Sequence, residues 1–519
     1  MAGRVVEGHV SIPLIVVSNR EPYEHRREGN RLVCTRTDGG LTAALDPALQ
    51  RLGGTWIAWG SGKADRDAVG PDSTVAVPPG APRYRLRRVW LDEADAKGGY
   101  LGYANQVLWP LCHVTLDRIA YQQSYWDAYR RLNQRFCDAV LEEARRQAGI
   151  IWIHNFHLSL LPRLIRVAAP ERVIALFWHI PWPGPDVFRI LPERRDLLEG
   201  MLAADSLVFQ TVEHAHAFAD CAERFVGAEI GDAHETLSYQ GRRIKLAAHP
   251  ISVDYEAISR RALVTQINWP ATFVKRRLTS RPEIRFGLGV DRVDYSKGLL
   301  KRLWALDDFF TRYPAYRGRF TFIQIAVPTR SEIAAYRRYA GVIRATVQEI
   351  NDRHTAGGSA EVSSADAWRP IELHEGRITF NLLLAYYRLA DLLIVSSVYD
   401  GMNLVAKEYV ASRVDDTGVL LISQMAGASQ ELIDALEINP YDTERVADAI
   451  HRALEMSLAE QKQRMHAMRA YLKHHDVHRW VQQCLADAEA CLSRPPPVDP
   501  SSVGVRKKRD NFCHPVSDE

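Results

Sequence analysis

The sequence predicts an α/β protein built from two doubly wound parallel-sheet domains, and three observations carry that expectation. Its 519 residues exceed what one hydrophobic core organises, so two large domains are expected. Short β-branched runs recur along the chain, and most are apolar throughout, as in strands buried on both faces. Amphipathic helical stretches separate them, and that alternation builds parallel sheets covered by helices.

In the first half the runs are residues 14–17, 150–153, 173–178 and 206–210. In the second they are 284–290, 320–325, 392–396 and 419–423. Helical periodicity marks residues 125–146 and 381–389. A Pro-Ile-Ser-Val-Asp segment begins at Pro250, which puts the domain boundary near 250–258, with a mostly polar helical stretch leading on to Ile284. The expected division is therefore an N-terminal domain over 1–255, a C-terminal domain over 256–478 and a last helix over 479–494. A Pro-, Ser- and charge-rich tail over 495–519 is expected to be disordered. A cleft between two such domains would receive ligands at the carboxyl ends of the strands.

Composition narrows the function classes. A hydrophobic fraction of 46% and a charged fraction of 25% are those of a globular protein. The 66 basic residues nearly balance the 63 acidic ones, for a net charge of +3, which argues against a nucleic-acid binder. Seven scattered cysteines without a CxxC pair suggest neither a disulfide framework nor a zinc site and suit a reducing cytoplasm. No apolar run is long enough for a bilayer, and the first apolar strand is too short for a signal-peptide core. A cytoplasmic protein with no membrane partner is expected.

Four constellations sit at predicted strand ends. Gly289-Val-Asp-Arg-Val-Asp-Tyr-Ser-Lys-Gly298 places Arg292 and Lys297 beside a helix start, where two cations can neutralise a diphosphate. Alone, these would read as two surface cations in a polar loop. In Asp400-Gly-Met-Asn-Leu-Val-Ala-Lys-Glu408, Gly401 permits a sharp turn and Asn403, Leu404, Val405 and Ala406 open a helix whose N–H groups would face a diphosphate. Glu408 would accept ribose hydroxyls, and Asp400 would hold those of a donor sugar. His179-Ile-Pro-Trp-Pro projects His179 toward the cleft, to bond a sugar hydroxyl or to act through its backbone carbonyl. Ser18-Asn-Arg20 and Asp38-Gly39-Gly40-Leu41 complete the set, the glycines allowing a loop to approach a ligand. Arg20 and Arg330 would converge on one acceptor phosphate from separate halves.

The combination resembles the trehalose-6-phosphate synthase family of retaining glycosyltransferases, with its glucosylglycerol-phosphate synthase relatives, over roughly residues 12 to 492. The strings that carry the resemblance, in order, are SNR, GGL, YANQVLWP, HNFHL, FWHIPWP, DRVDYSKG, VPTRSE, DGMNLVAKEYV and SQMAGASQEL. It implies the GT-B architecture, two facing Rossmann-like domains with a C-terminal helix crossing back. It also implies transfer of glucose from UDP-glucose or GDP-glucose to glucose 6-phosphate, giving α,α-trehalose 6-phosphate. On this resemblance Arg292 and Lys297 grip the donor diphosphate, and Gly39 and Gly40 approach it from the N-terminal domain. Leu404 to Ala406 offer backbone groups to the nucleotide, Glu408 takes the ribose, and His179 and Asp400 hold the donor sugar. The backbone near Arg377 and Ile378 meets the base. Arg20, Tyr100, Trp109, Asn155 and Arg330 form the acceptor site. No cofactor and no metal are expected, and a homo-oligomer would fit the family.

The sequence departs from the family pattern at three places. His154-Asn-Phe-His-Leu158 stands where His-Asp-Tyr-His-Leu is usual, so Asn155 replaces a carboxylate at the acceptor site. Tyr399 stands where many members carry Arg, and Ser396-Ser397 replaces Thr-Pro. The opening Asn19-Arg-Glu-Pro-Tyr23 is closer to the glucosylglycerol-phosphate synthases and to a divergent set of trehalose-phosphate synthases. Glycerol 3-phosphate as acceptor, a pseudo-glycosyltransferase joining cyclitols, and a non-catalytic regulatory homologue are the alternatives.

Overall fold

The computed structural model describes residues 13–37, 39–264, 284–355 and 368–492. The tail expected over 495–519 lies outside the described residues, as do Asp38 and most of the stretch before Ile284. The strands of the first half are β1 (Leu14–Arg20), β2 (Tyr23–Glu28), β3 (Arg31–Arg36), β4 (Thr55–Trp59), β5 (Thr74–Val77) and β6 (Tyr84–Val89). They continue with β7 (Ile150–His154), β8 (Ile174–Phe177), β9 (Ser206–Phe209), β10 (Glu229–Ile230), β11 (Thr236–Tyr239) and β12 (Arg242–Ala248). The second half holds β13 (Arg285–Arg292), β14 (Phe320–Val327), β15 (Ile371–Glu375), β16 (Leu392–Val395), β17 (Val419–Ser423) and β18 (Leu436–Ile438).

Among the described residues, ten strands form one sheet in the order β10-β11-β12-β9-β8-β7-β1-β4-β6-β5 and six form another in the order β15-β14-β13-β16-β17-β18. The run from β12 to β6 is parallel, with antiparallel strands only at its margins. The six-stranded sheet is parallel throughout. These are two Rossmann-like domains. Central strands such as β7 and β16 are buried along their whole length, which is why they read as unbroken apolar runs.

Every apolar run singled out in the sequence forms a strand, with ends displaced by a few residues. Of the strands that went unread, β6 and β12 carry Arg or Lys between apolar positions, as marginal or half-covered strands do, while β4 and β11 are short runs opened by Thr. The expected helices appear as Gln123–Arg146 and Phe380–Leu389.

The chain passes from the first sheet to the second through residues 249–254 and the helix Tyr255–Val264. It returns through the helix Val477–Glu489. There the Trp480 indole packs 5.5 Å from Trp152 and 5.2 Å from Phe177, under the first sheet. Asp487 bonds Lys245 at 2.5 Å and His249 at 2.7 Å. A helix that follows the second domain in sequence thus packs on the first.

Candidate active site

The site residues lie just past the carboxyl ends of strands of both sheets, because a parallel sheet sends all its exit loops to one edge. Arg20 ends β1 and Arg292 ends β13, while Asn155, His179, Arg330 and Asp400 follow β7, β8, β14 and β16. Tyr100 and Trp109 come instead from a wide-turn helix, Ala96–Leu108, and the residue that follows it.

Two cations, one ending β13 and one following β14, lie over the Trp109 ring. The Arg330 guanidinium lies 4.1 Å from its ring centre and that of Arg292 lies 5.3 Å away. Asp294 fixes this group: its carboxylate accepts from Arg330 at 2.7 Å, from the Trp109 indole N–H at 3.4 Å and from the Ser296 hydroxyl at 3.0 Å. Burial works to raise the Asp294 pKa, yet Arg330 and Arg292 hold it at about 2, so it stays an anion. Arg292 opens to the cleft. Desolvation by the cleft walls and the Arg330 charge press its pKa below the ordinary guanidinium value, against the pull of Asp294 and Asp400.

Arg20 and Arg330 both act electrostatically on His157, whose pKa falls to about 3 through burial first and then these cations. The imidazole stacks on Tyr100 at 5.5 Å. Arg20, Tyr100, Trp109 and Arg330 therefore share one neighbourhood. Asn155 adjoins it with its backbone at φ 79°, and its Oδ1 accepts the Phe156 N–H at 3.0 Å. That bond uses one of the amide oxygen's two lone pairs, so the side chain still offers its NH2 and one acceptor position.

A second group gathers on Asp400. Its Oδ2 accepts from Lys297 at 2.5 Å, Ser397 at 3.1 Å and Asn403 at 3.2 Å. The Ser397 hydroxyl, one of the departures in the sequence, is thus an added donor to this carboxylate. Lys297 is held by an acid here, so a ligand phosphate would compete with Asp400 for it. Asn403 sits at φ 118° and caps the helix Leu404–Ser412, its Oδ1 accepting the Ala406 N–H at 3.1 Å. The Ala406 amide, expected to face a phosphate, is occupied by that cap, which leaves Leu404 and Val405 as the first-turn donors. Further along the helix, desolvation raises the Glu408 carboxyl to about 7, with the Tyr387 hydroxyl bond at 3.0 Å pulling the other way. Ile378, past the end of β15, is half-buried against the same core.

Two contacts bring the domains together here. A Cβ on Gly40 would stand 2.5 Å from the tip of Leu404, and one on Gly401 would stand 2.6 Å from the His179 carbonyl oxygen. Gly39 lies beside the Arg20 side chain. The His179 ring is occupied: Nε2 meets His154 Nδ1 at 3.0 Å, and Nδ1 faces the Gln210 amide nitrogen at 3.4 Å. Of the two roles open to His179 in the sequence, the ring has protein partners and the carbonyl faces Gly401. Burial holds the His179 pKa near 3, so the ring is neutral.

Non-glycine residues rarely adopt positive φ, and Asn155, Arg330 (47°) and Asn403, all singled out in the sequence, do so. Asp294, Gln210, His154 and His157 were not assigned roles. Three of them lie inside quoted strings, but their importance depends on partners far along the chain. No cluster of three or more His, Cys, Asp or Glu side chains is placed to hold a metal among the described residues, and no helix there is long and apolar enough to cross a membrane.

The model of glycosyltransferase family 20 matches residues 13–490. The chain is 32% identical over 491 residues to the trehalose-6-phosphate synthase of Mycolicibacterium paratuberculosis, covering 93% of this chain and 96% of that one. A UDP-forming α,α-trehalose-phosphate synthase of Burkholderia xenovorans, solved in complex with glucose-6-phosphate, superposes with a TM-score of 0.81 at 30% identity, covering 92% of this chain and 100% of the other. The E. coli trehalose-6-phosphate protein bound with UDP-2-fluoro glucose gives 0.80 at 31%, covering 93% and 100%. A match spanning nearly the whole chain, on a fold whose strand ends converge as described, leaves one assignment: the chain belongs to glycosyltransferase family 20, the trehalose-6-phosphate synthase family.

Proposed function

We propose that this protein transfers glucose, with retention, from UDP-glucose or GDP-glucose to glucose 6-phosphate, forming α,α-trehalose 6-phosphate. The observation that carries the reading is the paired cationic cleft, Arg292 and Arg330 about Trp109 with Lys297 and Asp400 alongside, at the facing strand ends. Similar proteins bind a UDP-glucose analogue or glucose-6-phosphate, which supports the same pair of ligand classes here.

Residues 1–255 would bind the acceptor and 256–478 the nucleotide sugar, with the helix over 479–494 returning to the first domain. Arg292 and Lys297 would neutralise the donor diphosphate in place of a metal, assisted by the Leu404 and Val405 amides. Gly39 and Gly40 would let the N-terminal loop approach it, Ile378 would lie by the base, and Glu408 would hold the ribose. Asp400 and the His179 carbonyl would hold the glucose, while Arg20, Tyr100, Trp109, Asn155 and Arg330 receive the acceptor.

In the reaction the bond from the sugar's anomeric carbon to the phosphate oxygen breaks, and the acceptor oxygen bonds to that carbon on the same face. The acceptor oxygen is itself the nucleophile, so no enzyme carboxylate bonds to the sugar, and its proton passes to the departing phosphate oxygen, so no separate base is needed. Stabilising the leaving diphosphate is then the main demand on the protein. Free, scattered cysteines such as Cys112 and Cys484 suit work in the cytoplasm.

The test is to incubate the protein with UDP-glucose or GDP-glucose and, separately, glucose 6-phosphate or glycerol 3-phosphate, measuring released nucleoside diphosphate and identifying the product by mass and anomeric NMR signal. An α,α-linked disaccharide phosphate is expected. Release only with glycerol 3-phosphate would move the protein to the glucosylglycerol branch, to which the opening over 19–23 gives some likeness. No release with any pair would overturn the reading.

A further inference from the structure

One chain of hydrogen bonds begins at His179 and ends in the second domain, passing through the crossing between the sheets. Gln210, just past β9 and 2% exposed, has its Oε1 accepting the Ile251 N–H at 2.9 Å. The amide is thereby oriented, and its Nε2 faces both the carbonyl oxygen and Nδ1 of His179 at 3.4 Å. Ile251 belongs to the segment that joins the domains, and its carbonyl accepts from Lys407 Nζ at 2.8 Å. Lys407 is fully buried in the helix Leu404–Ser412, paired with Glu431 at 2.5 Å, and Glu431 in turn accepts from the Tyr471 hydroxyl at 3.1 Å. Gly401, three residues before that helix, presses on the same His179 carbonyl.

We infer that Gln210 and Lys407 are positioning residues that act as one tether through the Ile251 peptide, holding the His179 carbonyl and the ring tautomer in register with the donor helix. The inference rests on the function proposed above for its activity readout. The reason is geometric. An amide NH2 facing Nδ1 requires a lone pair there, so the His179 proton sits on Nε2 and is donated to His154 Nδ1 at 3.0 Å. The same NH2 steadies the carbonyl. Lys407 fixes the other face of the Ile251 peptide, so the position of Gln210 is set by the helix that carries the first-turn amides and Glu408. A substrate-driven shift of that helix would be felt at His179 without any contact between His179 and the nucleotide.

The test uses the full chain with 15N-labelled histidine, the His179 resonances being those lost in His179→Asn. The unaltered chain is expected to show one neutral tautomer, protonated at Nε2. Gln210→Leu should give a mixture of tautomers, and Gln210→Glu, which accepts from Ile251 but cannot donate to His179 as a carboxylate, should move the proton to Nδ1. Lys407 is changed together with Glu431, as Lys407→Met with Glu431→Leu, so that no unpaired charge is left buried. This pair should also give mixed tautomers while a cooperative thermal transition is kept.

In turnover, Gln210→Leu and the Lys407/Glu431 pair should each lower kcat by about 10- to 100-fold. UDP binding to Gln210→Leu, measured by calorimetry, should change by less than about twofold, because the residue touches no donor group. Combining the changes should lower kcat no further than the worse of the two, since both cut one path. An unchanged tautomer in Gln210→Leu, or losses that multiply when combined, would overturn the tether. If the unaltered chain turns over no donor–acceptor pair, the functional reading fails, and the tautomer measurement still decides the tether by itself.

Discussion

The two walls of the cleft are built in different ways. On the proposed donor wall, Asp400, Asn403, the Leu404 and Val405 amides and Glu408 come from nine consecutive residues, organised by one strand exit, one cap and one helix start. On the proposed acceptor wall, Arg20, Tyr100 with Trp109, Asn155 and Arg330 come from four separated segments and meet only because two sheets and a wide-turn helix converge. The first wall is held by local backbone geometry. The second depends on contacts such as Asp294 with Arg330 and Trp109, so its precision comes from side-chain ion pairing.

The sharpest challenge to this contrast is removal of a donor-side cation. Arg292→Ala should lower kcat/KM by about 10²–10³-fold, by analogy with the loss of one preorganised group at a developing anion, as steady-state UDP release would show. A loss under tenfold would mean that the local helix start carries the diphosphate without it.

Next come the glycines at the seam. Gly401→Ala drives a methyl to 2.6 Å from the His179 carbonyl and 3.1 Å from the Ile180 carbonyl carbon, both backbone atoms that cannot turn aside. A fall in kcat of about 10²-fold is expected from the displaced geometry. Gly40→Ala meets only the tip of Leu404, which can rotate, so donor KM should rise a few-fold with kcat nearly kept. Equal effects of the two substitutions would show that the seam is soft on both sides.

On the acceptor wall, Asn155→Asp restores a carboxylate that can still accept the Phe156 N–H, so folding should be undisturbed. If the acceptor is glucose 6-phosphate, its KM should fall by about tenfold, the weight of one charge-assisted hydrogen bond. An unchanged KM would place the acceptor away from Asn155.

The smallest effect concerns pH. Glu408 is a neutral acid below about 7 and a carboxylate above it. The carboxylate accepts from ribose hydroxyls more strongly than the neutral acid does, so UDP affinity should rise as pH increases through about 7. Glu408→Gln should flatten that dependence in calorimetric titrations from pH 5.5 to 8.5.

Much of the site was legible because residue type and strand exit coincide. A cation, a glycine or a helix cap directly after an apolar run points to the ligand edge of a parallel sheet, and Arg292, Lys297, Asp400 and Asn403 were found that way. Asp294 stands between Arg292 and Lys297 in the same string, yet nothing local separates it from a turn-forming aspartate until Arg330 and Trp109 are seen around it. Ala406 was assigned a phosphate-facing amide from its place in the first turn, and the Asn403 cap takes that amide first.

The sequence by itself determined the strand runs, the helix starts and the chemistry available at each exit, because burial periodicity, capping and turn geometry act over a few residues. Only the tertiary structure decided which of those groups meet. Lys407 reaches the Ile251 carbonyl across 156 positions, and Trp109 reaches Asp294 across 185. Such pairings are set by the packing of two sheets and the path between them, and no local preference encodes them.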